Sequence, residues 1–375
     1  MTRASDTAKL LGAGGSILGS LDIGGGQIGG RRNIVINGGM NVAQRGTSST
    51  GLGATDGYYT VDRFGLNFSG TASRLTMTQD SPTDLNGFTK ALKLDCTTVD
   101  TSIAAAEYIM LHYRIEGQDL QQLKKGTSDA EKITISFYVK GNASATYTCE
   151  IEDVDNNRYN SQEFSVTTSW TKVTLTYNGD TTGVLGNDNG QSMSINFWLH
   201  VGSNFTGGTH TDNVWHTTAN QRVGDNQTSF ADSTDRTFFI TGVQMELGSV
   251  ATLFENRSFG EELQLCKRYY QKVTTGENNS PIALATAYNS SQLAIPIPLR
   301  PEMRTTPTVD VVSGSNYYRF TANASNTDLN DVALDIGNRE AVVVYKGSLS
   351  GMTGGQAGYF YTKSTSASLA FNAEL

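Results

Sequence analysis

The sequence predicts an all-β protein built around an antiparallel jelly-roll β-sandwich. Charged residues make up only 17% of the 375 residues, and 40 glycines are spread along the chain. This composition is typical of short strands joined by many turns. Apolar and polar residues alternate over several short stretches, which is the period of two expected of half-buried strands. No rhythm of strands and long helices occurs, and a jelly roll is the commonest antiparallel arrangement of this size.

Composition changes along the chain and divides it into three segments. Residues 1–32 are rich in glycine and are expected to be an anchoring segment that cannot fold alone. Residues 33–273 carry the alternating stretches and are the predicted sandwich, closed by a helix at about 256–272. Residues 274–375 begin with a proline-rich extended stretch and are the predicted small distal β domain.

The alternating stretches predict which side chains face the core. In each stretch every second residue is apolar and is expected on one face of a strand. A short helical insert is predicted between these stretches, at residues 117–126. The predicted core positions are Ile109, Leu111, Tyr113 and Ile115; Ile133, Ile135, Phe137 and Val139; Val173, Leu175 and Tyr177; Met193, Ile195, Phe197 and Leu199; and Phe239, Thr241, Val243 and Met245.

Residues 242–272 concentrate carboxylates, a thiol and two phenols, which raises the question of a catalytic site. Ser258 and Glu261 have the spacing of a helix capping box, so the acids of this stretch suit a helix start. No histidine lies in the stretch to act as a general base. We therefore interpret the stretch as structural and predict that the protein is not an enzyme. The apolar face of the predicted helix is formed by Phe259, Leu263, Cys266 and Tyr270.

Charge and cysteine usage exclude several classes of partner. The formal net charge of −8 argues against a nucleic-acid partner, because phosphate contacts need clustered lysine and arginine. The three cysteines are widely spaced, so neither a disulfide framework nor a structural zinc site is expected. No apolar run is long enough for a spanning helix or a signal-peptide core, which predicts synthesis in a cytoplasm and no membrane insertion.

Histidines give only a weak metal signal. His200, His210 and His216 fall in one short window, but their spacing matches no zinc pattern and no helix face would present them together. We predict no metal site and no cofactor.

One acidic stretch copies the opening of a calcium-binding loop. Asp153, Asp155 and Asn157 have the right spacing for such a loop. However, Arg158 and Phe164 stand where that loop requires glycine and glutamate. We interpret the stretch as a hairpin turn, and structural calcium in an irregular loop stays an open alternative.

Aromatic residues on the polar faces of strands are the candidate ligand-binding side chains. Trp198 and His200 lie opposite the apolar face of their strand, and Tyr138 does the same on its own strand. Trp215 lies in a long polar loop. Aromatic rings near asparagine and aspartate are the usual ingredients of a carbohydrate cleft. The alternative is that loops of the same chain or a neighbouring subunit cover these rings.

Several passages resemble tail-fibre and virion structural proteins of tailed phages, notably marine podoviruses. The passages are NIVINGGMNVAQRGTS with YYTVDRFGL, RIEGQDLQQLKKGTSDAEKITISFYVK, TTSWTKVTLTYNGDTTG and TGVQMELGSVATLFENRSFGEELQLCKRYYQK. In addition, IPIPLRPEMRTTPTV and AFNAEL resemble the distal domain of such fibres, and TRASDTAKLLG resembles their N-terminal segment. Together these matches touch most of the chain.

The resemblance implies a jelly-roll domain similar to carbohydrate-binding modules, a homotrimer, and attachment to phage tail or neck proteins through residues 1–32. It implies no catalytic residues. We therefore expect a short trimeric tail fibre in the virion tail that contributes to recognition of a host-surface glycan. The alternatives are a virion decoration or connector protein without receptor binding, and a polysaccharide depolymerase. The expected anchor residues are Thr2, Arg3, Asp6, Leu10 and Leu11.

Overall fold

The computed structural model describes residues 31–274 and 276–375, and it confirms the all-β class. Within these ranges the α-helices are α1 (Ser203–Thr206) and α2 (Phe259–Lys267). The predicted insert at 117–126 is a pair of 3-10 turns, Gly117–Asp119 and Gln121–Leu123. No helix of the described chain combines the length and apolar character needed to cross a membrane.

The expected anchor residues Thr2, Arg3, Asp6, Leu10 and Leu11 lie outside the described residues.

Two antiparallel sheets of six strands form the sandwich. Its strands are β1 (Ser48–Leu52), β2 (Gly57–Tyr58), β3 (Phe64–Ser69), β4 (Arg74–Asp80), β5 (Ala91–Thr98), β6 (Tyr108–Glu116), β7 (Ile133–Gly141), β8 (Ala145–Asp153), β9 (Arg158–Val166), β10 (Thr171–Tyr177), β11 (Gln191–Val201) and β12 (Thr237–Leu247). The first sheet has the order β1-β4-β5-β12-β7-β10, and the second has the order β2-β3-β6-β11-β8-β9. Several consecutive strands lie in opposite sheets, so the chain crosses repeatedly between them, as in jelly rolls.

Most of the predicted core positions are buried between the two sheets. Alternation places every second side chain of β6, β7 and β11 on the inner face, where apolar burial is the main stabilising contribution. Val173 is the exception in β10, because it is only partly buried against the core near the edge of the first sheet. The confirmed core residues are Ile109, Leu111, Tyr113, Ile115, Ile133, Ile135, Phe137, Val139, Leu175, Tyr177, Met193, Ile195, Phe197 and Leu199.

Strand β12 departs from its predicted alternation. Phe239 was predicted to face the core, but it is half-buried on the outer face, and Phe238 takes the core position. Farther along the strand, Val243 faces the core as predicted. The register shifts around Gly242, whose φ of 63° lies in the left-handed region. This β-bulge adds one residue and reverses which side chains point inward.

The remaining strands form two further sheets with their own core. They are β13 (Tyr270–Lys272), β14 (Pro281–Ala287), β15 (Leu293–Pro298), β16 (Thr308–Val312), β17 (Tyr318–Ala322), β18 (Ser325–Leu329), β19 (Ala333–Gly337), β20 (Ala341–Lys346), β21 (Ala357–Thr362) and β22 (Ser368–Asn372). A seven-stranded sheet has the order β18-β17-β21-β14-β15-β20-β19, and β13-β22-β16 form a three-stranded sheet. A second hydrophobic cluster lies in this part of the chain. The boundary at residue 273 stays a prediction.

Helix α2 has the predicted cap but is shorter than the predicted range of 256–272. Ser258 and Glu261 form a capping box, in which each side chain bonds the other residue's backbone N–H. The helix ends before Tyr270 because the chain there enters β13 and pairs with β22. Phe259 is 60% exposed, which corrects its predicted place on the packed face.

The thiol of α2 is structural. Cys266 is buried, and burial raises the pKa of its thiol well above the ordinary value. The group therefore stays protonated at neutral pH and is a poor nucleophile.

The last residues of the sequence connect the two C-terminal sheets, which contain β13 to β22, to the sandwich. The Arg63 side chain, which is buried, forms an ion pair with Glu374 and lies 3.4 Å from the ring centre of Tyr269. Arg304 donates to the backbone oxygens of Ala373 and Glu374. Arginine side chains thus hold this end of the chain against the sandwich.

Candidate functional site

Trp198 lies on the outer face of the second sheet, where it was predicted as a ligand contact. His200 does not, because the register shifts between the two residues and pairs His200 with the core residue Ile109 near the end of β11. Both are buried, Trp198 with only 1% of its surface exposed. Phe205 of α1 and Tyr108 pack against the Trp198 ring, with ring centres 5.1 and 5.6 Å away. The chain's own loop between β11 and β12 therefore covers this tryptophan, which was the alternative interpretation. This corrects the expectation that the two side chains are open to a ligand.

Arg222 fastens that loop to the second sheet. Its guanidinium donates two hydrogen bonds to the buried Glu150 carboxylate, at 2.8 and 2.6 Å. The guanidinium also lies 3.9 Å from the ring centre of Tyr159 and 4.9 Å from that of Trp198. A bidentate arginine–carboxylate pair has a fixed geometry, so the loop has a defined position on the sheet.

His112 is buried on the outer face of the second sheet, in β6. Its Nδ1 has no hydrogen-bond partner among the described residues. Burial lowers the pKa of its imidazole well below the ordinary value, and the nearby Arg114 and Arg63 lower it further. The native protein therefore keeps this histidine neutral in mildly acidic solution.

We expect His112 to make the protein sensitive to acid. Below about pH 6.5 the unfolded chain binds a proton at this site that the native state does not bind. The unfolding free energy should then fall by up to about 1.4 kcal/mol per pH unit from this residue alone. Urea unfolding at pH 7.5 and pH 5 measures the effect, and His112→Gln should reduce the loss. The control His210→Gln should keep it, and an unchanged loss in His112→Gln would contradict the prediction.

Trp215 is half-buried in the loop after α1. Its Nε1–H donates to the backbone oxygen of Asn178 at 2.7 Å, and the Nζ of Lys125 lies 5.4 Å from its ring centre. Its polar atom is therefore used within the chain, and only part of the ring is exposed to a ligand.

The acidic stretch whose spacing resembles a calcium-binding loop is neutralised by the ammonium group of a lysine. The Lys125 Nζ forms ion pairs with Asp153 and Asp180, the latter at 3.0 Å. It also donates to the backbone oxygen of Thr182 at 2.7 Å. A lysine thus supplies the positive charge that a bound cation would otherwise supply at these two carboxylates.

The histidines of the 200–216 window contact different groups. His210 lies 3.0 Å from Asp212, whereas His200 lies 2.9 Å from Glu107. The backbone of His216 pairs with that of Tyr159. These three histidines therefore do not converge on one common metal-binding site.

The outer face of the first sheet carries five half-buried aromatic rings, which we call the aromatic platform. One group is centred on Phe88, whose ring centre is 5.1 Å from both Tyr138 and Phe254. The other is the edge-on pair of Trp170 and Phe239, 6.1 Å apart. Of the predicted ligand contacts, Tyr138 is thus the one that is only half-buried and lies with other rings on a strand's outer face.

Charged side chains lie beside the second group of rings. The Nζ of Lys140 is 5.7 Å from the centre of Phe239 and forms an ion pair with Asp84 at 2.5 Å. Asp84 also accepts a hydrogen bond of 2.9 Å from Trp170 Nε1. Hydrogen bonds from Lys140 and Trp170 lower the pKa of Asp84, so its carboxylate stays ionised. Rings and charged groups therefore alternate on this surface.

Sequence reasoning missed four of the five platform rings. Phe88, Trp170 and Phe254 lie in loops, which have no periodicity to reveal the direction of a side chain. Phe239 was assigned to the core because the bulge in β12 was not recognised. A glycine inside an alternating strand, here Gly242, is the signal that indicates such a bulge.

Neither the known protein families nor the curated proteins include a match to this sequence. Solved structures of carbohydrate-binding modules do align with part of this chain. TmCBM61, solved with β-1,4-galactotriose, is 10% identical, has a TM-score of 0.30, and aligns over 58% of this chain and 99% of its own. The family 11 module of Clostridium thermocellum was solved with a β-1,3-1,4-mixed-linked tetrasaccharide. It is 11% identical, has a TM-score of 0.27, and aligns over 55% of this chain and 98% of its own.

A structure described as CBM4 is 12% identical to this chain with a TM-score of 0.25, over 48% of this chain and 77% of its own. At such identities the likeness concerns the fold alone. The β-sandwich of this chain is defined by its own two antiparallel sheets.

Proposed function

We propose that this protein is a non-enzymatic virion protein, a short trimeric tail fibre, and that the aromatic platform contributes to recognition of a host-surface glycan. The observation that carries the glycan proposal is the row of half-buried rings beside the Lys140–Asp84 pair. Aromatic rings offer flat apolar surface to a sugar ring, and charged groups beside them can bond to its hydroxyls.

The virion part of the proposal rests on the resemblance of long passages of the sequence to phage tail-fibre proteins. In this proposal, residues 1–32 attach to tail or neck proteins, and three copies form the fibre of a virion assembled after synthesis in the host cytoplasm. Three weak sites presented together bind a repetitive surface more tightly than one site, because the second and third contacts are intramolecular.

We expect Trp170→Ala to weaken glycan binding about 10-fold, since the loss of one aromatic contact of about 1.4 kcal/mol changes affinity by that factor. Tyr138→Ala should also weaken it. Binding is measured for the full chain on a printed array of bacterial surface polysaccharides that also carries β-1,4-galactotriose and the mixed-linked tetrasaccharide. Tyr288→Ala removes a well-exposed ring of the distal sheet and is the matched control.

The outcomes separate the alternatives. Equal loss of binding in Tyr288→Ala and Trp170→Ala would contradict the platform as the site. Absence of binding to every arrayed glycan would favour a decoration or connector protein. Shortening of a polysaccharide chain during the incubation would show a depolymerase.

A further inference from the structure

Three ionisable side chains from two distant parts of the sequence meet at one end of the sandwich. Asp100 follows β5, Glu107 precedes β6, and His200 lies near the end of β11. Their exposed fractions are 8%, 2% and 0%. One potential ligand atom from each lies within 4.8 Å of those of the other two. His200 Nε2 and Glu107 Oε1 are 2.9 Å apart.

The charge of this cluster is not balanced by a basic side chain. Within residues 31–274 and 276–375, neither Asp100 nor Glu107 has a lysine or arginine nitrogen within 4.0 Å. Other buried carboxylates of the sandwich do have one: Glu150 pairs with Arg222, and Glu116 pairs with Arg268. A buried carboxylate without a positive charge beside it is strongly disfavoured. The Asp100 and Glu107 carboxyl groups are hydrogen-bonded to each other, so a proton on the cluster meets this need in the metal-free chain, and a bound cation would take the place of that proton.

Each of the three residues also has a hydrogen-bond partner outside the cluster. The Ser229 hydroxyl lies 2.7 Å from His200 Nδ1, which leaves Nε2 for the cluster. The backbone N–H of Ala104 donates to Glu107 Oε2 at 2.9 Å, and that of Ala72 donates to Asp100 Oδ2 at 2.6 Å. Metal-binding histidines and carboxylates are typically oriented by such second contacts.

We propose that Asp100, Glu107 and His200 bind one divalent cation of the class that accepts both imidazole nitrogen and carboxylate oxygen, of which Zn²⁺ is the representative. Three protein ligands leave a further position for water. Ca²⁺ fits less well, because it takes six to eight oxygen ligands and one of the three side chains here offers nitrogen. The ion is structural, since it joins the connection between β5 and β6 to the end of β11.

The test uses the full chain stripped of metal with EDTA and then titrated with ZnCl2 by calorimetry. We expect one saturable site per chain and a rise in Tm that EDTA reverses, because an ion bound only by the native state stabilises it. Replacing a ligand, in His200→Gln or Glu107→Gln, should abolish the site. Replacing the supporting hydroxyl, in Ser229→Ala, should weaken binding about 10-fold. His210→Gln removes another histidine–carboxylate pair and should leave binding unchanged.

Substitution of the metal by Co²⁺ in the wild-type chain gives a readout that does not depend on whether a variant folds. A visible absorption band of low-coordinate Co²⁺ that ZnCl2 displaces would support the site. Absence of any saturable Zn²⁺ binding in the wild type would overturn the proposal. Retention of the site in a folded His200→Gln, its loss in His210→Gln, or a rise in Tm with CaCl2 but not with ZnCl2 would overturn it as well.

Discussion

Replacing Arg222 with alanine is expected to lower the free energy of unfolding by about 3–5 kcal/mol, because Glu150 would keep its charge inside the protein without its partner. Glu150 is buried and accepts both hydrogen bonds of the guanidinium. Its remaining side-chain partner is the neutral amide of Asn196, at 3.0 Å. The substitution also removes the planar group beside Trp198, so the loop between β11 and β12 should loosen.

Chemical unfolding monitored by tryptophan fluorescence measures this loss. The double variant Arg222→Met with Glu150→Gln is the control, because it removes both charges at similar volume and should recover much of the stability. A single variant Arg222→Ala that unfolds like the wild type would show that the pair contributes little. A double variant as unstable as the single one would show that packing of the guanidinium, and not charge, is responsible.

Replacing Glu374 with alanine is also expected to lower the free energy of unfolding by about 3–5 kcal/mol. Arg63 is completely buried, and it also contacts the backbone oxygen of Arg114 and the rings of Tyr269 and Tyr113. Burial disfavours the charged guanidinium, whereas Glu374 favours it and raises its pKa. The arginine cannot escape the loss of its partner by giving up a proton, so the native state must accommodate an unpaired charge.

The matched control is Glu302→Ala, which breaks an ion pair with Arg339 that is largely exposed to solvent. Such a pair typically contributes less than about 1 kcal/mol. Hydrogen exchange of β22 should increase in Glu374→Ala, because the last strand loses its attachment to the sandwich. Equal stability of the two variants would contradict the role assigned to Arg63.

The alternation of apolar and polar residues was sufficient to predict the fold class and much of the core. Alternation over β7 and β11 placed Phe137 and Phe197 between the sheets, where their rings lie 5.1 Å apart. The capping box of Ser258 and Glu261 was predictable because both partners are three residues apart. Prediction failed at Phe239, since a one-residue bulge reverses the alternation of a whole half-strand.

The candidate site was predictable only in part. Tyr138 was found because its strand is regular, but nothing local shows that Phe88 and Phe254 lie against it. Trp198 was expected on an open face, yet a loop folded back from beyond β11 covers it. Periodicity predicts which face of a strand a side chain occupies, but it does not predict which loop or strand packs against that face.

The sequence by itself determined regular strands such as β7 and β11, their inward faces and the cap of α2. Only the tertiary structure decided which charges meet: Arg268 pairs with Glu116 across 152 residues, and His200 meets Glu107 across 93. The physical reason is one of range. Strand periodicity and capping act between near neighbours in the chain, whereas ion pairs, covering loops and ligand clusters depend on how whole strands are arranged in space.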